Sequence, residues 1–176
     1  MTTPPAAGPD RTPVRDGGRT PVWDPDRTTG PRVLLSSVSS DSHTWNLVFL
    51  QLLLEEHGCD VVNLGACVDD DLLLGECRRL GPDLLVISTV NGHGYLDGLR
   101  LIGRLRTDPL LAGLRVVIGG KLGVTPQTQD SHARELLEAG YDVVGGGGDD
   151  TGRLTRYLQG LRDLRVPALT GGASPP

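Results

Sequence analysis

Short apolar runs alternate along this chain with longer amphipathic stretches, and glycines close several of those stretches. This alternation limits the fold more than any other feature. Residues Val33–Val38, Asp60–Leu64, Leu84–Ser88, Arg115–Ile118 and Asp142–Val144 read as strands, too short and too continuously apolar for helices. Helical periodicity falls between them, at Asn46–His57, Asp69–Leu80, Leu96–Arg106, Ser131–Ala139 and Thr151–Leu164. Gly58, Gly81 and Gly140 stand where C-terminal caps are expected. Strands that alternate with helices imply crossover connections, hence a parallel sheet buried on both faces.

The fold class expected is therefore α/β, a doubly wound five-stranded parallel sheet of the flavodoxin-like (Rossmann-like) type. Residues 1–30 are rich in Pro, Gly, Thr, Asp and Arg and poor in apolar groups, so they read as a disordered arm. The domain is expected at 31–166, and 167–176 reads as a second disordered tail. A net charge of -5 and a pI near 5.3 argue against a general nucleic-acid partner. No apolar run has the length of a membrane span, and no export signal is visible. The three cysteines, Cys59, Cys67 and Cys77, form no CxxC, so reduced thiols in the cytoplasm are expected.

A doubly wound sheet binds ligands outside the carboxyl ends of its strands. The informative residues are those that follow each strand: Ser39–Asn46, Ser88–Gly94, Gly119–Gly123 and Gly145–Gly148. Glycine lets a ligand approach the backbone closely, so three glycine-rich edges suggest a large flat ligand. The first strand is followed by no glycine, which argues against a dinucleotide fingerprint. Asp41 and His43 admit two readings. One is a surface loop in which Ser42 or Thr44 caps the next helix. The other is a metal-ligating imidazole whose far nitrogen donates to a carboxylate. His43 has no partner ligand nearby in sequence, so a single axial ligand to a macrocycle metal suits it better than a multi-histidine zinc site. His57 is expected at a helix C-terminus, His132 on the solvated surface, and His93 at the ligand edge with its role open. Trp45 fits core packing or contact with a ring equally well.

Asp41-Ser42-His43 opens a pattern that resembles the DxHxxG signature of cobalamin-binding domains. Ser88-Thr89-Val90 resembles the SxL element of that family, and Gly119-Gly120 its GG element. Among cobalamin domains the sequence is most similar to the small subunit of glutamate mutase. Asp60–Gly65 and Gly92–Asp97 echo further elements of that subfamily. In such domains the histidine displaces the cofactor's own dimethylbenzimidazole and binds cobalt, and the aspartate holds its far nitrogen. The freed nucleotide tail threads into the sheet. The resemblance implies His43 as the axial metal ligand, Asp41 as its partner, Ser88 and Val90 as the tail pocket, and Gly119 and Gly120 as its admitting edge. Ser40, Ser42, Thr44, Asn46, Gly92, Gly94, Gly123, Gly146, Gly147 and Asp149 complete the expected cofactor contacts.

The resemblance further implies adenosylcobalamin as the cofactor, homolysis of its cobalt–carbon bond, and rearrangement of glutamate to 3-methylaspartate. It implies a large barrel-type partner subunit that binds the acid substrate, with this chain inactive alone. Two departures stand out. Asn46 replaces the final glycine of DxHxxG, and since Asn tolerates the left-handed region, a left-handed turn is expected there. Gly145–Gly148 and Asp149 replace a more Pro-rich loop. The rival functions are a corrinoid methyl carrier, which usually has a helical bundle ahead of this domain, and a cobalamin-dependent sensor, which needs an effector module.

Overall fold

The computed structural model describes residues 22–23, 30–123, 126–146 and 150–165. Five strands and five helices alternate: β1 (Arg32–Ser37), α1 (Trp45–Glu56), β2 (Asp60–Gly65), α2 (Asp70–Leu80), β3 (Leu84–Thr89), α3 (Gly94–Thr107), β4 (Arg115–Gly120), α4 (Pro126–Ala139), β5 (Val143–Val144) and α5 (Asp150–Arg165). The strands form one parallel sheet in the order β2-β1-β3-β4-β5. The doubly wound α/β fold is thus as expected.

Side chains alternate across the sheet because successive strand residues point to opposite faces. Leu34, Val62, Leu85, Ile87 and Ile118 meet Leu73, Cys77, Leu101, Ile102, Leu105 and Leu136, so α2, α3 and α4 cover one face. Val33, Leu35, Leu84, Val86 and Val117 meet Leu47, Leu54, Leu154, Leu158 and Leu161, so α1 and α5 cover the other. β3 is buried along its whole length, as a central strand must be.

Local chemistry sets the ends of the helices. The Asp69 carboxylate accepts the Leu72 N–H at 3.0 Å and caps α2, and Gly81 ends that helix in the left-handed region at φ 57°. The acidic residues Asp70 and Asp71 lie in its first turn and Arg78 and Arg79 in its last, the arrangement that a helix dipole favours. His57 caps α1, and its ring Nδ1 lies 2.8 Å from the Leu53 carbonyl, as its place before Gly58 suggested.

Three expectations are corrected. α4 begins at Pro126, five residues before the apolar periodicity that marked Ser131, because a first-turn proline fits a helix without needing its N–H. α3 begins at Gly94, since His93 is its N-cap. His132 is not a solvated group: its ring stacks on Tyr95 at 3.8 Å with planes 7° apart, and its Nδ1 is buried without a partner among the described residues. Within the expected arm, Trp23 packs against the core, donates its indole N–H to the Leu80 carbonyl at 2.8 Å and lies under the Arg32 guanidinium. No helix among the described residues is long and apolar enough to cross a membrane.

Candidate functional site

The sheet order makes β1 and β3 neighbours while the chain leaves them in opposite directions, α1 to one face and α3 to the other. A crevice opens at such a reversal. The loop after β1 carries Asp41 and His43; the loop after β3 carries Ser88–Val90.

Asp41 is 0% exposed, an unusual condition for a carboxylate. It is satisfied from three sides. Its Oδ2 accepts the Val90 N–H at 2.5 Å, and its Oδ1 accepts the His43 N–H at 3.0 Å and lies 2.6 Å from the His43 ring Nδ1. Burial acts to raise the Asp41 carboxyl, but the Val90 and His43 amides and the His43 ring outweigh it and hold it below the usual carboxylate value. Asp41 is therefore a carboxylate, and the Nδ1 of His43 is its donor. The imidazole is half exposed, at 49%, and its Nε2 has no protein partner among the described residues. A ring locked at Nδ1 and free at Nε2 is prepared to ligate through Nε2.

The loop is braced as well as hydrogen-bonded. The Ser37 hydroxyl donates to the Asp41 carbonyl at 2.9 Å, and the Cys67 N–H donates to the same carbonyl at 2.9 Å. Ser40 donates its hydroxyl to Asp97 and accepts from the Asn91 amide at 2.7 Å. Arg100 gathers the neighbourhood: it donates to Asp97 at 2.5 Å, to Asp70 at 2.8 Å and to the Ser39 hydroxyl at 3.1 Å. α2 and α3 thus fix the loop that presents His43.

Beside the dyad, a mostly apolar slot of about 240 Å³ runs between α1 and α5 over the ends of β3, β4 and β5. Asn46, Ser88, Val90, Gly119 and Gly120 line it, all residues that the sequence singled out. Gly145, from the expected Gly145–Gly148 edge, lines it too, as do Trp45, Phe49, Leu50, Val143, Asp150, Thr151 and Leu154, which were missed or left open. Most of them lie on helix faces or strand runs, where an apolar residue looks like core. The slot fits a flat inserted group. A Cβ built on Gly119 would meet only the Gly145 Cα, at 3.8 Å, so the floor is open backbone. Asn46, in its wall, keeps its Oδ1 buried without a hydrogen-bond partner among the described residues.

Other expected contacts fall elsewhere. A Cβ at Gly94 would stand 2.3 Å from the Thr89 Cγ2, and one at Gly123 would stand 2.9 Å from the Thr128 Oγ1, so both glycines serve packing under α3 and α4. Gly92 turns at φ 85° near the Lys121 side chain. Gly146 donates its N–H to Asp150 at 2.7 Å, and Gly120 donates to the same carboxylate at 3.3 Å; Asp150 ties the β4 and β5 ends together. Gly147 and Asp149 lie outside the described residues. Ser42 and Thr44 are exposed, and neither caps α1 with its side chain. The left-handed turn expected at Asn46 is absent: Asn46 is the second residue of α1, and Cys67 at φ 54° is the one non-glycine with positive φ among the described residues. The helix starts at Trp45, one residue sooner than expected, so Asn46 lies inside it and takes helical backbone in place of a left-handed turn.

Known proteins resemble this chain in sequence and in fold. Glutamate mutase sigma subunits match at low identity: that of Fusobacterium nucleatum is 26% identical over 64% of this chain and 82% of its own length. The subunit from Halobacterium salinarum is 28% identical over 66% of this chain and 76% of its own. A cobalamin-binding protein from Desulfitobacterium hafniense superposes with a TM-score of 0.60 at 18% identity, covering 74% of this chain and 58% of that one. The monomethylamine corrinoid protein of Methanosarcina barkeri superposes with a TM-score of 0.57 at 20% identity, covering 76% and 59%. The chain thus spans under two thirds of these solved structures, and they share its fold. The match to the B12 binding domain runs over residues 31–155 and takes in all five strands, the Asp41–His43 loop and the slot wall; the chain belongs to that family.

Proposed function

We propose that this chain is the cobalamin-carrying subunit of a two-component, adenosylcobalamin-dependent carbon-skeleton mutase that converts glutamate to 3-methylaspartate. The observation that carries the proposal is the Asp41–His43 pair beside an open apolar slot at the point where the sheet reverses. When bound, the cofactor supplies a cobalt–carbon bond whose homolysis starts the rearrangement.

The chain's own residues do four things. His43 offers its free Nε2 to cobalt. Asp41 accepts the Nδ1 proton of that ring, fixes the tautomer and raises the basicity of the ligating nitrogen. The slot between α1 and α5 takes the nucleotide tail, with Ser88 and Asn46 on one wall and Gly119 and Gly120 at the floor. The Ser40–Asp97–Arg100 network keeps the loop in place. The half exposure of His43 supports a partner that covers the cofactor, because a radical reaction must exclude water and oxidants. The partner is a large barrel-type subunit, which binds the acid substrate; the complex works in the cytoplasm, and this chain alone has no turnover. The similarity to glutamate mutase sigma subunits supports the reaction and the partner.

The test is an assay of glutamate isomerisation with adenosylcobalamin, first with this chain alone and then with a candidate large subunit. Turnover is expected only with both. Turnover by the isolated chain overturns the two-component reading. Methyl transfer from the bound corrinoid to a thiol or pterin, without the adenosyl form, overturns the mutase reading.

A further inference from the structure

The slot wall holds a hydrogen-bonding pair with spare capacity. Asn46 donates its Nδ2–H to the Ser88 hydroxyl oxygen at 2.6 Å. Ser88 then has its own O–H left to donate, and no acceptor for it is present among the described residues. Asn46 is 5% exposed and Ser88 4%, and the Asn46 Oδ1 has no partner among the described residues. The pair therefore has one free donor and one free acceptor side by side. Turning the Asn46 amide over changes nothing in kind: Ser88 then donates to Oδ1, Nδ2 becomes the free donor and the Ser88 oxygen the free acceptor. An unpartnered buried amide atom costs free energy, and a ligand that satisfies it recovers that cost.

Most of the rest of the slot is apolar, with Phe49, Leu50, Val86, Val117 and Leu154; its other polar side chains are Thr151 and Asp150, whose carboxylate already accepts the Gly120 and Gly146 N–H groups. A flat heteroaromatic edge that offers both an acceptor and a donor is the complement. Dimethylbenzimidazole, once released from cobalt, offers a ring nitrogen acceptor and no N–H donor. It engages Ser88 and leaves Asn46 orphaned. Adenine offers a ring nitrogen beside an exocyclic amino group and engages both.

We propose that Asn46 and Ser88 read the base at the end of the cofactor's nucleotide tail, and that they select a base with a ring nitrogen beside an exocyclic amino group over dimethylbenzimidazole. This deepens the proposed function and rests on it. Sites built to hydrogen-bond a given group discriminate strongly against analogues that lack it, because their own polar atoms are then left unpaired.

The experiment measures the affinity of the full chain for two cobamides, one with adenine and one with dimethylbenzimidazole as the lower base, by the absorbance change on binding. An adenine base is easily displaced from cobalt, which favours it in any protein of this kind. The readout is therefore the preference ratio and how it changes in Asn46→Leu, which keeps the branched shape without the polar atoms, and Asn46→Gly, which removes the side chain. We expect the wild-type preference for the adenine cobamide to fall by about 10-fold in both variants, a change of the size that a lost buried hydrogen bond produces. A ratio unchanged in the variants overturns the inference, and so does a ratio that falls in Asn46→Gly alone, which assigns the effect to space. Tight binding of both cobamides with an unchanged ratio overturns this inference and leaves the proposed function standing. Binding of neither overturns both.

Discussion

His43 is the residue on which the rest of the site depends, and its geometry makes a direct prediction. With Nδ1 committed to Asp41, ligation must go through Nε2. Cob(II)alamin bound to the chain should show nitrogen coupling from labelled histidine in its electron paramagnetic resonance spectrum. His43→Ala should remove that coupling; a spectrum that keeps it would assign the ligand elsewhere. Asp41→Asn should keep the fold, since an amide oxygen can still accept the Val90 or His43 N–H. It should weaken cobamide binding by about 10- to 100-fold, the usual effect of losing a carboxylate behind a ligating histidine. Asp41 and His43 were legible in the sequence because they are two residues apart and meet within one loop. The Asn46–Ser88 contact was not, because its partners are 42 residues apart and its geometry depends on the helical phase of α1. A substitution at a motif position told that something differs there, and only the fold told that the new side chain is an amide facing a serine.

Elements were legible where their burial is one-sided and regular, and less so where backbone chemistry decides. The inner strands follow from continuous apolar runs, because a sheet covered on both faces demands them, while the edge strand β2, with Asp60 and Asn63, alternates between buried and half-buried residues. The start of α4 was missed because Pro126 is set by backbone fit and not by apolar spacing. The stripe Trp45, Val48, Phe49 and Leu52 on α1 is exposed, at 65%, 46%, 52% and 60%, a feature that periodicity alone reads as core. Glycines inside elements separate into two kinds. Gly75 in α2 and Gly103 in α3 have nothing within 4 Å of an added Cβ, so Gly75→Ala and Gly103→Ala should each stabilise the chain by about 0.5–1 kcal/mol. Gly120, at φ 106°, would put its Cβ 2.0 Å from the Thr89 carbonyl oxygen, so Gly120→Ala should destabilise by about 2 kcal/mol or more. Urea unfolding of the three variants measures this, and a Gly120→Ala protein as stable as the parent would contradict the packing of β4 on β3. The cysteines divide similarly. Burial pushes the Cys77 thiol up to about 12, while Cys67 is exposed on a loop. A thiol-alkylating reagent at neutral pH should label Cys67 in the folded chain and spare Cys77, and rapid modification of Cys77 would mean that α2 opens.

At the scale of the whole molecule, everything proposed to touch the cofactor gathers at one edge, the carboxyl ends of β1, β3, β4 and β5. Trp23 lies apart from it. It packs against the core cluster under α2, α3 and α4, and its indole N–H reaches the last residue of α2. Composition marked residues 1–30 as an arm and gave no sign that one aromatic within it docks, since a single tryptophan leaves average hydropathy almost unchanged. The two roles, stability and ligand binding, should therefore separate on truncation. Removal of residues 1–21 should change neither the unfolding midpoint nor the cobamide affinity. Trp23→Ala should lower stability by about 1–2 kcal/mol, the loss of a half-buried ring with its hydrogen bond, and should leave cobamide affinity within about twofold of the parent. Thermal unfolding and cobamide titration of the same samples give both numbers. A large loss of affinity in either protein would mean that the segment reaches the ligand edge, and the separation between a stabilising face and a binding edge would fail.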